Sequence, residues 1–424
     1  MELPRGMRDL ESDELWKIRT IREKFEKVAD IFGFDMVDPS PIESLSTLEA
    51  KSGPDIRKEI YHFKDKGDRQ IALRFDFTVG VTRYIASQQF SRMPAKFGSF
   101  GGVWRYDEPQ KGRYRYFHQW NVEIFGPPSV ESESEIIEFS SILFEKLSIS
   151  NSIISINHRD LVESFIKKTY PKFDDKKDWP VITESLRMVD KAHKKPRQEL
   201  LKEYSKLPTE YANSLLDFAT VKGTLEEVES KTDVKNLDKW DHIRDLWNSL
   251  ENRSVYNKEI NLGVVRGLDY YSGIVFEVFD SHRHDALAGG GRYDRLTKAF
   301  GRDTIGATGM AGGVERMINA MDEKNTDWKK DTRYVSVMYM TKNLQKEAMH
   351  IASQIRRAGI KTNVDLANRA FKKQIKASSD SVYAVIVAPD EFKEDKIIIK
   401  NMENGIQNAI PKDDVIKNLI EYLK

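Results

Sequence analysis

Residues 101–126, GGVWRYDEPQKGRYRYFHQWNVEIFG, constrain the fold more than any other stretch of the chain. From Tyr116 the even positions Tyr116, His118, Trp120, Val122 and Ile124 are largely apolar, while Gln119, Asn121 and Glu123 hold the odd ones. That is the period of a strand with one polar side. Upstream, residues 103–106 read as a second strand with Trp104 and Tyr106 on one face and Arg105 on the other. An antiparallel pair then brings Arg105, Gln119 and Glu123 to one surface. The joining DEPQKGRYR is too long for a two-residue turn and too charged for an interior. It is expected to be a mobile loop carrying Lys111, Arg113 and Arg115 above the polar face. Guanidinium forks match phosphate or carboxylate, and a carboxylate beside them suits an ammonium or an imidazole N–H. A lone Arg/Glu pair is most often an ordinary ion pair. Three further polar clusters elsewhere in the chain shift the balance toward a binding site.

A chain of 424 residues exceeds one hydrophobic core and implies two or three domains. Its 68 Lys and Arg against 67 Asp and Glu leave a net charge of +1, so a nucleic acid has to be held by local patches. Having no cysteine excludes disulfides, thiol nucleophiles and cysteine metal sites, and no protein metal site is expected. The N-terminus lacks an apolar leader and no run approaches about 18 apolar residues, so a cytoplasmic protein without a membrane span is expected.

Residues 11–32 carry Leu15, Ile18, Ile21, Phe25, Val28, Ala29 and Phe32 at spacings of three and four, which predicts an amphipathic helix stopped by Gly33. The following FDMVDPSPIE predicts a short strand ending at Pro39 and Pro41, at a sheet edge or a dimer interface. Strands are predicted over 59–63 and 70–75, the second running into a helix over 79–87 with Thr78 as its cap. Asp76, at that junction, serves either as a helix-end charge or as the partner of a ligand's amine. A helix is predicted over 132–147 and a strand over 152–157. Residues 169–256 are charge-dense, Lys-rich and helical in period, a separate insertion whose basic KAHKKPRQE reads as a solvated face.

In EINLGVVRGLDYYSGIVFEVFD, residues 259–280, two strands flank a bend holding Arg266, Asp269, Tyr270 and Tyr271. Such groups are costly to bury without partners, and a ligand pocket supplies them. AGGGRYD, 288–294, reads as a triple-glycine turn; neither the dinucleotide nor the phosphate-loop spacing is present. Residues 306–321 pass from a small-residue strand into a helix with Val314, Met317, Ile318 and Met321 inward. The small residues leave room for a flat ring, and Arg316 is expected to be free to meet an anion. Beyond Trp328, strands over 333–340, 361–366, 382–388 and 396–401 alternate with helices over 344–358, 369–377 and 413–423. This is a compact α/β domain in which Arg369, Lys372, Lys373 and Lys376 gather on one short helix as a phosphate-contacting face.

The blocks LRFDFT, WRYDEPQKGRYRYFHQWNVEIFG, VRGLDYYSGIVFEV, AGGGRYD and GMAGGVERM resemble, in order and spacing, those of the histidyl-tRNA synthetases, a class IIa family of aminoacyl-tRNA synthetases. The likeness runs from RGMRDL to the C-terminal domain. RGLDYY and AGGGRYD belong to the histidine enzymes, the hairpin and the final ER helix to class II in general. The resemblance implies an α+β catalytic domain, an antiparallel sheet flanked by helices, over 1–168 and 257–325. It further implies a helical insertion over 169–256 facing the acceptor arm and an α/β anticodon-binding domain over 331–424, in a homodimer built on the helix and strand near Pro41.

It also implies that L-histidine is activated with ATP and Mg2+ and passed to its tRNA. Carried over by motif position, Arg105 clamps the α-phosphate, Arg113 and Arg316 meet the nucleotide's phosphates, Phe117 stacks on adenine and Asp107 touches its edge. Asp76, Thr78 and Gln119 take the α-amine, Glu123 and Tyr271 the imidazole nitrogens with Tyr270 beside them, and Arg266 the carboxylate. Gln110 and the Arg369, Lys372, Lys373 and Lys376 face would touch tRNA. Asp76 and Asp107 depart from the family, where glutamate is commoner. The alternative is a non-catalytic histidine-sensing paralogue, the regulatory subunit of ATP phosphoribosyltransferase. The presence of Arg105, Arg266 and Arg316 and an attached C-terminal domain count against it. A structure-specific RNA-binding protein is a more distant alternative.

Overall fold

The computed structural model describes residues 2–52, 54–88, 93–108, 114–149, 151–174, 177–265, 271–280, 286–301, 305–323 and 330–423. They fall into two compact units, Met1–Trp328 and Lys329–Lys424.

The first unit is built on a sheet ordered Asp35–Met36, Ala95–Trp104, Tyr116–Gly126, Gly306–Gly313, Ala286–Arg292, Ile274–Asp280, Ser152–His158, Lys258–Asn261, Lys222–Gly223. Pairing is antiparallel except where Asp35–Met36 meets Ala95–Trp104 and where Ser152–His158 meets Lys258–Asn261. The alternation read in residues 116–126 sets the two faces. Trp120, Val122 and Ile124 are buried beneath the helices Ser12–Ile31, Val130–Lys146 and Val314–Glu323. There Phe25 and Phe139 flank the Trp120 ring at 5.7 and 6.0 Å. On the other face Phe125 packs with Phe77, Val81 and Ile85 around the helix Thr78–Ser87 and with Leu296 of the helix Asp294–Ala299. The polar side chains of 119, 121 and 123 share that face.

AGGGRYD is not a turn. Its glycines lie in the strand Ala286–Arg292, where Gly289, Gly290 and Gly291 pair with Glu277, Phe276 and Val275 on one side and with Ala311, Met310 and Gly309 on the other. A Cβ at Gly290 would stand 2.1 Å from the Gly309 carbonyl oxygen, so three strands close up here only without a side chain. The strand expected before Pro41 is split: Asp35–Met36 joins the large sheet, and Ile42–Ser44 joins Gln70–Leu73 and His62–Lys64 in a small one. Pro39 and Pro41 lie in the break, and neither can donate to a ladder.

Residues 177–256 form the helices Trp179–Lys191, Arg197–Glu203, Thr209–Ala219, Leu225–Lys231 and Trp240–Asn252. Their apolar stripes, among them Ile182, Leu186, Leu215, Val228 and Leu246, join the same buried cluster as the sheet.

The second unit has a sheet ordered Thr362–Val364, Val335–Tyr339, Tyr383–Val387, Lys396–Asn401, Gln407–Pro411, the first three parallel and the last two antiparallel. The helices Gln345–Arg357 and Val415–Leu423 share its core. The short basic helix is Phe371–Ala377, so Arg369 stands before it. The Arg369 amide donates to Asp365 Oδ2 at 2.7 Å and its guanidinium pairs with the same carboxylate. Three lysines, not four basic residues, therefore share that helix.

Candidate active site

On the strand Tyr116–Gly126 the side chains of Gln119, Asn121 and Glu123 form one buried hydrogen-bonded line. Arg105 Nη2 donates to Gln119 Oε1 at 3.1 Å, and Gln119 Nε2 donates to Asn121 Oδ1 at 2.7 Å. Asn121 Nδ2 donates to Thr78 Oγ1 at 3.1 Å and to Glu123 Oε1 at 3.0 Å. Thr78 Oγ1 donates to Glu123 Oε1 at 2.7 Å, and the Tyr293 hydroxyl donates to Glu123 Oε2. Glu123 is only 1% exposed. A carboxylate at that depth is stable only when donors surround it. Here they come from a helix, the strand itself and the AGGGRYD block.

Glycine makes the arrangement possible. A Cβ at Gly309 would fall 1.6 Å from Glu123 Oε2, and one at Gly312 would fall 2.5 Å from the Trp120 indole on the opposite face. The room at Gly309 is thus filled by Glu123 and that at Gly312 by Trp120, while Ala311, Gly312 and Gly313 still line the neighbouring cavity. Thr78, expected as a cap, is the first residue of its helix and commits its hydroxyl to Glu123. The Val79 amide instead reaches Asp76 Oδ1 at 3.3 Å. Tyr271 is buried, its ring centre 6.5 Å from that of Tyr293.

A cavity of about 1240 Å³ opens on the same face, and Arg105, Asp107, Phe117, Gln119 and Arg316 all line it. The Arg105 guanidinium lies 5.1 Å over the Phe117 ring, and its Nε donates to the Phe75 carbonyl at 3.1 Å. Arg316 Nη1 donates to the Ala286 carbonyl at 2.8 Å, which anchors one edge of a guanidinium that lines the cavity. Asp76, Thr78, Glu123 and Tyr271 are buried outside the described lining. Gln110, Lys111, Arg113, Arg266, Asp269 and Tyr270 lie outside the described residues. Arg115, expected on the loop above the sheet, is buried: it donates to the carbonyls of Asp107 and Arg5 at 3.1 and 3.2 Å and covers the Tyr106 ring at 4.0 Å.

Several residues of this site escaped the sequence reading as site residues. Asn121 was visible only as a polar odd position, and Tyr293 as part of an apparent turn. His193 and Lys194, from the stretch read as a solvated face, line the cavity. A Cβ at Gly263 would lie 2.2 Å from His193 Nε2, so the insertion reaches the strand end that leads to RGLDYY. No periodicity marks a residue whose partner lies 70 positions on. The rest of that stretch does behave as solvated surface, with Lys195 pairing Glu199 and Glu203 at 2.8 Å each.

Behind the site, Arg292 of AGGGRYD is locked to the buried Glu133 at 2.6 Å and to Asp294 at 3.1 Å. Burial works against its charge, but the two carboxylates outweigh it and hold the guanidinium above its ordinary pKa. The other Glu133 oxygen meets His242 Nε2 at 2.7 Å, which fastens the helix Trp240–Asn252 to the helix Val130–Lys146 and, through Arg292, to the sheet. His158, 5.2 Å from His242 between ring centres, is pushed down to about 3 by burial first and by the neighbouring His242 second.

Residues 6–317 match the family model described as histidyl-tRNA synthetase, and residues 334–422 the one described as anticodon binding domain. The histidine–tRNA ligase of Sulfurisphaera tokodaii is 31% identical over 428 residues, covering 99% of this chain and 98% of that one. Among solved structures, the histidyl-tRNA synthetase from Nostoc sp. PCC 7120 superposes with a TM-score of 0.79 at 21% identity, covering 99% of each chain. An ATP phosphoribosyltransferase regulatory subunit/histidyl-tRNA synthetase from Bacillus halodurans gives 0.75 at 19% identity, covering 92% of this chain and 98% of that one. The fold and the family matches together define a ligase of the class II aminoacyl-tRNA synthetases. Within that class, the chain belongs to the histidyl-tRNA synthetase family.

Proposed function

We propose that the chain is a histidine–tRNA ligase that first joins L-histidine to ATP and then passes the histidyl group to the 3′ end of its tRNA. The observation that carries this is the convergence of Arg105, Phe117, Gln119 and Arg316, drawn from separated parts of the chain, on one cavity beside a buried acceptor line. In the first step a histidine carboxylate oxygen attacks the α-phosphorus, the bond to the bridging oxygen breaks, and pyrophosphate leaves. Both partners are anions, so the barrier is lowered by holding them together and by stabilising charge in the crowded transition state, with no proton transfer required. Arg105 is assigned the α-phosphate, Arg266 the histidine carboxylate, Arg113 and Arg316 the outer phosphates, and Phe117 and Asp107 the adenine.

Asp76, Thr78 and Gln119 are assigned the α-amine, with Glu123, Tyr270 and Tyr271 as the imidazole side of the site. Selection is assigned to polar contacts with both ring nitrogens, which a competitor lacking them cannot make. In the second step a ribose hydroxyl of the tRNA attacks the activated carbonyl, losing its proton while AMP leaves. Gln110, Arg369, Lys372, Lys373 and Lys376 are assigned to tRNA.

Among the described residues no three metal-ligating side chains converge. Magnesium usually keeps several waters and reaches protein through one or two carboxylates plus substrate phosphates. Glu277 and Asp280, which line the cavity, offer that donor type and would hold it, where it would neutralise phosphate charge. A homodimer is proposed on the helix Ser12–Ile31 and the chain through Asp35–Met36 toward Pro41, along which Ile31, Met36 and Ile42 are exposed. A cytoplasmic location is proposed from the tRNA substrate, and no described helix is long and apolar enough to cross a membrane.

Charging assays with labelled histidine test the reading. Histidine is expected on its own tRNA and on no other. A chain that binds histidine but neither activates nor transfers it would be the sensing paralogue instead.

A further inference from the structure

The block RGMRDL carries no role in the reading above, yet it packs against both ends of the catalytic hairpin's loop. On the outgoing side Glu108 pairs with Arg5 at 2.8 Å. On the returning side the Arg115 amide donates to the Gly6 carbonyl at 3.1 Å and Arg115 Nη1 to the Arg5 carbonyl at 3.2 Å. Gly6 has φ +81°, a conformation that glycine adopts without a steric cost. Arg8 completes the strap. Its guanidinium lies 3.8 Å from the centre of the Tyr114 ring, pairs with Glu14, and brings Nη2 to 3.9 Å from Glu315 Oε1. Glu315 in turn accepts the His118 amide at 2.9 and 3.0 Å.

Tyr114 and Glu315 line the cavity, and Arg8 stands behind them outside its described lining. Arg8 therefore touches neither end of the reaction directly. It joins the returning strand of the hairpin, which runs on to Phe117 and Gln119, to the first turn of the helix that carries Arg316. Its Nε is buried and meets no acceptor among the described residues, a destabilising feature that a plain surface anchor would not need.

We propose that Arg8 is a positioning residue for the nucleotide end of the site, setting the hairpin against the Val314–Glu323 helix through Tyr114 and Glu315. This rests on the reading of the cavity as the ATP and histidine site. The role requires a flat, forked cation: lysine can neither stack broadly on the Tyr114 ring nor serve two carboxylates in fixed directions.

The test uses the full chain as wild type, Arg8→Ala, Arg8→Lys and Tyr114→Leu. ATP–pyrophosphate exchange is measured with ATP varied at saturating histidine and with histidine varied at saturating ATP, alongside thermal unfolding. Arg8→Ala is expected to lower kcat/KM for ATP by about 10- to 100-fold through displacement of the phosphate-binding side chains. KM for histidine should stay close to wild type and the unfolding temperature should barely move. Arg8→Lys should remain defective, and Tyr114→Leu, which removes the ring and leaves Arg8, should reproduce the ATP-specific loss even if Arg8→Ala proves insoluble. Equal losses for ATP and histidine in step with a lower unfolding temperature, or full rescue by lysine, would overturn the proposal. Absence of exchange by the wild type would overturn the functional reading, and the proposal with it.

Discussion

Thr78 donates its hydroxyl to Glu123 at 2.7 Å across 45 residues of chain, joining the first residue of a helix to the middle of the large sheet. Among the described residues Asn121 and Tyr293 also donate to this carboxylate, which is closed off from solvent. Its acceptor character is what the surrounding groups are built to meet.

Glu123→Gln keeps the volume but turns an N–H toward those donors. Left unmatched, each buried donor costs about 1–3 kcal/mol. In pyrophosphate exchange the variant is expected to lose about 100-fold or more in kcat/KM for histidine, since a site built on paired polar contacts discriminates steeply. KM for ATP should be unaffected. An unchanged histidine value would remove Glu123 from the imidazole side of the site.

Gly309→Ala tests the same carboxylate from the other direction. Its Cβ would fall 1.6 Å from Glu123 Oε2, so the side chain or the strand has to move. Overpacking of this kind costs about 1–3 kcal/mol, readable by urea unfolding, and histidine activation should be lost with it. Gly313→Ala is the comparison: its nearest neighbour is Arg316 Cδ at 3.7 Å, an ordinary contact, and the unfolding midpoint should hold. Equal stability of both variants would contradict the packing account.

These two positions also show what was legible beforehand. Alternation fixed the polar face of residues 116–126, and three-and-four spacing found the long helices, because both signals are local and repeat. Thr78 was read as a cap because capping rules see only the next turn of chain. Tyr293 and Gly309 were hidden for a similar reason: their partner sits on a strand more than 160 positions earlier. Arg115 was expected on a loop above the sheet because a cation in a polar segment is usually solvated, and the backbone carbonyls that bury it leave no trace in composition. The resemblance to a family supplied the site list, and the described structure gathers part of it while leaving Arg266 and Tyr270 outside view.

Arg292 and Glu133 form a buried pair, and removing the guanidinium leaves the Glu133 carboxylate, which is fully buried, with His242 in place of a fixed positive charge. Arg292→Met is expected to cost about 3–5 kcal/mol in urea unfolding. The double variant with Glu133→Leu should recover much of that loss. A double variant no more stable than the single one would show that the pair is not acting as a unit.

His158 supplies a pH signature. Its folded pKa is pushed down to about 3 from 6.5, so the unfolded chain binds the extra proton between those values. The stability it contributes is complete above 6.5 and is lost as pH falls toward 3, at up to about 1.4 kcal/mol per pH unit. His158 Nδ1 accepts the Asp160 amide at 3.1 Å at the start of the helix Arg159–Thr169, so His158→Asn keeps a capping acceptor and should flatten that part of the profile. Parallel unfolding profiles for variant and wild type would contradict the assignment.

A chain ending at Trp328 retains the whole first compact unit. It should keep histidine-dependent pyrophosphate exchange and lose most tRNA charging, because the anticodon-binding match lies beyond the cut. Charging at the full-length rate would show that the second unit does not serve tRNA.

ATP–pyrophosphate exchange by the full chain, run with each amino acid in turn, bears most directly on the central claim that arginines from separated parts of the chain bring two anions together beside a histidine-selective wall. Exchange is predicted with histidine alone and should vanish in Arg105→Ala. Exchange with another amino acid, or an Arg105→Ala variant as active as wild type, would contradict it.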